Sequence, residues 1–284
     1  MPTPFLYKKH NYFISNSFYL YISNFADYMI MLIFIPFIAR KIGAVEFGKI
    51  GVFQTFSILL IVIIEFGSSL IATREVSRLE NNHQKLKKFI SNYVSFKFIL
   101  LPLVVFISLL SYAFIPLFKD NSNYLLLALA GSIFQGFTPL WYYQGIKQMK
   151  YPALLRIVFR LLGFLLIVFI LSDSSESWIV LASYTLSSAL ICLFLNIKLI
   201  NKIGFIKLDN PISSIKLIKK SIPSFIISIS PLLYQNIILI VLTLAVNPIQ
   251  LGLYYGANRI YKAFNSLFSP ISFSFFPIIS SIGD

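Results

Sequence analysis

Apolar runs of about the length of a bilayer crossing repeat along the whole chain, cut by short polar breaks. Taking roughly 20 apolar residues as one crossing, eight runs qualify: about 15–39, 50–72, 89–113, 124–144, 153–171, 178–197, 221–245 and 252–282. The breaks are "RKIGAVEFGK", "TREVSRLENNHQKLKK", "PLFKDNSN", "QGIKQMKYP", "SDSSES", "KLINKIGFIKLDNPISSIKLIKK" and "NPIQ". The pattern predicts an all-α, polytopic helical membrane protein with about eight transmembrane helices.

Lysine and arginine orient these runs, because positively charged loops stay on the cytoplasmic side. With the N-terminus inside, the inner segments hold fifteen Lys and Arg: Lys8 and Lys9, five between Arg74 and Lys88, Lys147 and Lys150, and six between Lys198 and Lys220. The outer segments hold four, namely Arg40, Lys41, Lys49 and Lys119. The N-terminus is therefore expected in the cytoplasm. Lys8 and Lys9 before an apolar run imitate a signal peptide, but that run reaches Ala39, contains Asn16, Asn24 and Asp27, and has no small-residue cleavage site after it.

Composition agrees with a lipid-covered surface. The 284 residues are 57% hydrophobic and only 12% charged, with a mean hydropathy of +0.81, whereas soluble domains carry roughly 25% charged residues. The net charge of +14 is read as topology and contact with anionic lipid headgroups. Nucleic acid is not an expected partner, since no basic stretch forms a folded soluble module. Cys192 lies alone in an apolar run and His10 and His83 are far apart, so neither a disulfide, a metal site nor a cysteine nucleophile is expected. The chain has no HExxH, Walker-type or GxSxG motif. Its outer turns are too short to hold the catalytic loop of a membrane glycan polymerase or transferase. A transporter fits better than an enzyme, and no catalytic residue is assigned.

A weak internal repeat relates "GAVEFGKIGVFQ" (43–54) to "NPIQLGLYYGAN" (247–258), pairing Gly48 with Gly252, Glu46 with Gln250 and Gln54 with Asn258. Six helices per period is the parallel repeat of a two-lobed transporter. It divides the chain into a six-helix lobe at 1–205 and the incomplete start of a second at 206–284.

Five basic residues fall inside the runs: Lys97, Arg156, Arg160, Arg259 and Lys262. Lys97 is expected to snorkel to the inner headgroups. Arg156, one turn past Pro152, is divided between snorkelling and a cavity. Arg160 lies eight residues past Pro152, about 12 Å deep at ~1.5 Å per residue, and is expected in a water-filled cavity. Arg259 and Lys262, three apart on the last run, share a helix face and are given the same reading. Asp27 and Glu65 are the embedded acids, candidates either for ion pairs between helices or for coupling to H⁺ or Na⁺. Gln235 and Asn236 are read as polar contacts between helices. An excess of embedded cations favours an anionic passenger, and the planar fork of arginine suits phosphate. The candidate substrate-binding residues are thus Arg156, Arg160, Arg259 and Lys262, and the ion-coupling candidates are Asp27 and Glu65, with no metal ligand and no other cofactor.

Five stretches in order, "PFIARKIGAVEFGKIGVFQ", "IEFGSSLIATREVSRL", "PLWYYQGIKQMKY", "KKSIPSFIISIS" and "QLGLYYGANRIYKAFNSLFSPISFSFFP", resemble the bacterial polysaccharide exporters. These are the O-antigen flippase family of the multidrug/oligosaccharidyl-lipid/polysaccharide superfamily. The resemblance implies twelve to fourteen helices in two lobes around a cationic cavity. It also implies transfer of an undecaprenyl-diphosphate-linked oligosaccharide to the outer leaflet of the bacterial inner membrane, for O-antigen or capsule. Glu65, Phe66 and Gly67 fall on the family's acidic-Phe-Gly element, followed by Arg74. Trp141, Gln144 and Gly145 fall on its Trp–Gln–Gly turn, and Gly252, Tyr255 and Arg259 on its Gly-x-Tyr-Tyr element. Where family members often carry an Asp after the seventh-helix Asn, this chain has Ile237 and Ile238. The helices after the eighth are missing, so the chain is expected to be truncated at its C-terminus. Implied partners are the undecaprenyl-diphosphate oligosaccharide, membrane lipids, and a polysaccharide polymerase with other assembly proteins. The alternatives are a multidrug or lipid II exporter of the same superfamily, an inactive fragment, or a membrane glycan polymerase.

Overall fold

The computed structural model describes the backbone of residues 4–171, 176–205 and 211–280, with most side chains described between Ile22 and Asn265. Among these residues every regular element is helical: α1 (Pro4–Glu65), α2 (Ser68–Leu79), α3 (His83–Phe114), α4 (Pro116–Asp120), α5 (Ser122–Gly136), α6 (Leu140–Gly145), α7 (Lys150–Ile170), α8 (Trp178–Ile203), α9 (Pro211–Leu242) and α10 (Pro248–Ser280). The chain is an all-α polytopic membrane protein.

The first two apolar runs form the single element α1. Its 62 residues would span about 93 Å as a straight helix, some three times the ~30 Å hydrocarbon core. It is broken at Gly43, whose φ of 77° and ψ of 168° leave the helical region, a conformation that costs glycine little. The break falls inside "RKIGAVEFGK", where the polar pattern places a turn. The second run stops at Glu65 and not at residue 72. Phe66 and Gly67 both take positive φ, 45° and 64°, and α2 starts afresh at Ser68. Residues 74–80 carry Arg74, Glu75, Arg78 and Glu80, which apolar surroundings would not solvate, so this helix cannot extend the crossing. The fourth run is likewise two helices, α5 and α6, parted at Phe137–Pro139. Asn247 and Gln250 start α10 with a reciprocal cap, each side-chain oxygen accepting from the other's backbone N–H at 2.8 and 3.3 Å.

Five helical segments among the described residues are long and apolar enough to cross a membrane, or six if the two halves of α9, bent by 48°, make one span. The expected eight is not reached: the first two runs are counted as one kinked element, and the eighth lies partly outside the described side chains. Pro231 deprives the Ile227 carbonyl of its helical donor, which accounts for the bend in α9 a turn later.

Two apolar cores form, one at each end of the bundle. One gathers Ile42, Phe47, Phe53, Leu60, Phe118, Tyr124, Leu181, Leu251 and Tyr255. The other gathers Val76, Ile90, Tyr93, Trp141, Tyr143, Leu195 and Leu199. Small polar residues of α8 lie between them. Ser183 donates to the Gly163 carbonyl at 2.5 Å, Ser187 to Phe159 at 2.9 Å, and Thr185 to Leu127 at 2.9 Å. Small hydroxyl residues let α8 approach α5 and α7 closely, which is how helices associate in lipid. Outward, α3 and α7 expose Phe106, Leu109, Leu165 and Phe169, the last 82% accessible, a surface suited to acyl chains.

The connections meet in two groups. Glu46 accepts from Lys49 at 2.7 Å, Ser177 at 2.8 Å and Tyr124 at 3.2 Å, while Lys41 donates to Leu171 at 3.3 Å. At the other end Thr73 donates to the Trp141 carbonyl at 3.3 Å, a Cβ on Gly145 would press on Val76, and His83 lies 3.5 Å from the Lys202 carbonyl. The residues around 41–49, 124, 171 and 177 thus share one end, and those around 73–83, 141–145 and 202 the other. This is the alternation that the positive-charge count assumes. The first four residues of "SDSSES" (172–175) and residues 206–210 lie outside the described residues.

Candidate functional site

Arg160 is the middle residue of the 21-residue helix α7. Its guanidinium carbon sits 4.0 Å from the ring centroid of Tyr184 on α8. The Tyr184 hydroxyl donates to Gln135 Oε1 of α5 at 2.6 Å, which holds the ring in place beneath the cation. Among the described residues no hydrogen bond or ion pair occupies the N–H groups of Arg160, which is part-exposed.

A second arrangement of the same kind stands on α10. The Arg259 guanidinium lies 4.9 Å from the Tyr255 ring, one turn before it on the same helix. The Tyr255 hydroxyl donates to Gln54 Oε1 of α1 at 2.6 Å and accepts from Arg259 Nε at 2.8 Å. Arg259 also donates directly to Gln54. Helix α1 packs against both α5 and α10, and α5 against α8, so the two arginine–tyrosine–glutamine sets stand on neighbouring helices.

The other two candidate cations are differently placed. Arg156, one turn from Arg160, donates to Asp27 Oδ2 of α1 at 2.5 Å, so α7 is tied to α1 by an ion pair. Asp27 Oδ1 is buried without a hydrogen-bond partner. Lys262 donates to Asn236 Oδ1 at 2.9 Å, making Asn236 a link from α9 to α10; the Gln235 side chain lies outside the described residues. The structure therefore puts Arg160 on α7 and Arg259 with Lys262 on α10, and engages Arg156 with Asp27.

Glu65 occupies a separate place, beside Lys97. Lys97 does not snorkel. It is 2% exposed, donates to the Gly136 carbonyl at 2.5 Å, and has the rings of Tyr93 and Phe137 at 5.0 and 6.0 Å. Helix α3 places it toward α5 and the broken end of α1, where the carbonyl at the end of α5, the aromatic faces and the charge of Glu65 replace the headgroups. Cys192 packs in the same region, in contact with Asn196. Among the described residues no group of three His, Cys, Asp or Glu stands ready to hold a metal.

The profile of one protein family, described as polysaccharide biosynthesis protein, matches residues 13–283. The chain belongs to this family. It is 25% identical over 274 residues to a protein of Escherichia coli (strain K12) described as "Putative O-antigen transporter", an alignment covering 94% of this chain and 64% of that one. The chain thus spans slightly under two thirds of the length of that curated relative. No solved structure matches it significantly.

Within the family fold, the motif residues have structural tasks. Glu65–Phe66–Gly67 makes the α1–α2 break, where Phe66 stacks on Phe225 of α9 at 4.2 Å and a Cβ on Gly67 would lie 2.2 Å from the Phe225 nitrogen. Trp141 packs on Tyr93 at 4.4 Å. Gly252 meets Gly48, its own partner in the internal repeat, at backbone distance. Sequence reasoning passed over Tyr184 and Gln135, which nothing but the fold brings to Arg160. It had paired Gln54 with Asn258, the neighbour of Arg259, which was the available hint that Gln54 meets α10.

Proposed function

We propose that this protein carries an undecaprenyl-diphosphate-linked oligosaccharide across the bacterial inner membrane by alternating access, with its N-terminus in the cytoplasm and its substrate's diphosphate held by Arg160. The observation that carries this reading is Arg160 itself. An arginine at mid-helix, stacked on a tyrosine and with its N–H groups not spent on acceptors among the described residues, calls for an anion, because a bare guanidinium in an apolar layer is costly. Phosphate matches its fork with two parallel charge-assisted bonds. Arg259 and Lys262 supply further positive charge on α10, and the family and the E. coli relative favour a saccharide-bearing passenger. Arg156, paired with Asp27, holds α7 against α1, and Asp27 or Glu65 couples the cycle to H⁺ or Na⁺.

In a full-length version expressed in a flippase-deficient strain, Arg160→Ala is expected to abolish surface polysaccharide while protein abundance stays near normal. Arg160→Lys restores it in part, since a point charge lacks the fork geometry. Normal transport by Arg160→Leu would refute the phosphate reading.

A further inference from the structure

The contact between α10 and α1 is the most extensive helix–helix interface among the described residues, and it has two layers. Near the Gly43 end it is a dry seam of backbone. A Cβ on Gly48 would lie 2.7 Å from the Gly252 nitrogen, one on Gly252 would lie 1.9 Å from the Ala44 oxygen, and one on Gly51 would lie 2.4 Å from the Tyr255 ring. Deeper in, the same two helices are joined by polar groups: Gln54 Oε1 receives both the Tyr255 hydroxyl and the Arg259 guanidinium. Gln54 is 9% exposed and Tyr255 3%.

We propose that Gln54 is a substrate-released latch: the diphosphate that reaches the polar region takes Arg259 from Gln54, and the freed α10 then parts from α1 along the glycine seam. This rests on the diphosphate reading above and adds to it the element that the ligand moves. The reason lies in the difference between the acceptors. An amide oxygen is neutral, whereas a phosphate oxygen is charged, so a phosphate adds an opposite charge and a second parallel hydrogen bond to a guanidinium that is already ionised. A guanidinium held by an amide is therefore held firmly enough to close the seam and weakly enough to be taken by an anion. Tyr255 shares the same acceptor and also accepts from Arg259 Nε, so the departure of Arg259 removes one of the two polar ties to Gln54 and leaves the Tyr255 hydroxyl as the other. The seam holds by close backbone packing, which is how helices associate in lipid, and the polar tie at Gln54 adds to that hold. A ligand can shift the helices only by what it gains in one arrangement over the other, and here that gain is the exchange of an amide for a phosphate at Arg259.

The test uses the chain in liposomes with spin labels on two exposed positions of the facing turns, Arg40→Cys and Ile249→Cys, in a Cys192→Ser background. The probe is undecaprenyl diphosphate, whose binding is measured separately. In the otherwise unchanged protein the lipid should lengthen the label-to-label distance. Gln54→Glu gives Arg259 a charged acceptor that the phosphate cannot displace, so the lengthening should be lost. Gln54→Ala removes the latch, so the longer distance should be populated before any lipid is added. A purely structural glutamine would instead make both variants lose the closed distance and bind the lipid alike. If the lipid binds and all three proteins show the same unshifted distance, the latch is wrong while the diphosphate reading stands. If the unchanged protein does not bind the lipid, the diphosphate reading fails and the latch falls with it.

Discussion

Gly252→Ala should separate α10 from α1, and its cost follows from the seam. A methyl group at this position would sit 1.9 Å from the Ala44 oxygen and 2.7 Å from its carbonyl carbon. Ordinary contact begins near 3.4 Å, so the helices must part by about 1.5 Å or one of them must shift along its axis. Both atoms are backbone, and no side-chain rotamer can absorb the clash. Overpacking of this sort costs about 1–3 kcal/mol, against roughly 1 kcal/mol that alanine regains over glycine in a helix interior. Gly256, one turn later on the same helix, is the internal control. A Cβ there would meet only the Phe47 ring, at 3.6 Å, so Gly256→Ala keeps the propensity gain without the clash. The two variants should therefore differ by about 2 kcal/mol, Gly252→Ala below the wild type and Gly256→Ala at or above it, roughly a 30-fold difference in the unfolding equilibrium. Reversible denaturation in mixed detergent micelles measures it. Equal effects of the two substitutions, or a stabilised Gly252→Ala protein, would refute the close-packed seam.

Two further outcomes are expected. Single cysteines at Ser174 and Gln84, in a Cys192→Ser background, should react oppositely with a membrane-impermeant thiol reagent in intact cells, Ser174 labelling from outside and Gln84 only after permeabilisation. Equal labelling from outside would overturn the orientation. Lys97→Met should lower stability by about 1–3 kcal/mol, because the Gly136 carbonyl loses the buried donor it has now, and the same denaturation measures it. An unchanged stability would show that the Gly136 carbonyl does not depend on Lys97.

Much of this molecule is legible in the chain before folding. Backbone groups in lipid must be satisfied within their own segment, so apolar length alone specifies helices. The scarcity of charge specifies lipid as the solvent, and the polar breaks around 43, 81, 115–121, 146–149 and 243–247 each contain a turn or a kink. The place of Arg160 at the middle of an apolar helix was legible too. What a charge meets there is another matter. Lys97 stands about two turns into its run and Arg156 about one, and depth suggested headgroups for the one and headgroups or a cavity for the other. Lys97 is instead taken up by the end of α5 and two aromatic rings, and Arg156 by Asp27 from 129 residues away. The partners of Arg160 and Arg259, Tyr184 with Gln135 and Tyr255 with Gln54, were likewise decided by which helices pack side by side. Period and composition describe one helix at a time, whereas a polar contact in the membrane depends on the rotation and depth of two. Those are set by close packing at small residues such as Gly48, Gly163 and Gly252, whose spacing in sequence says that helices can approach but not which ones do.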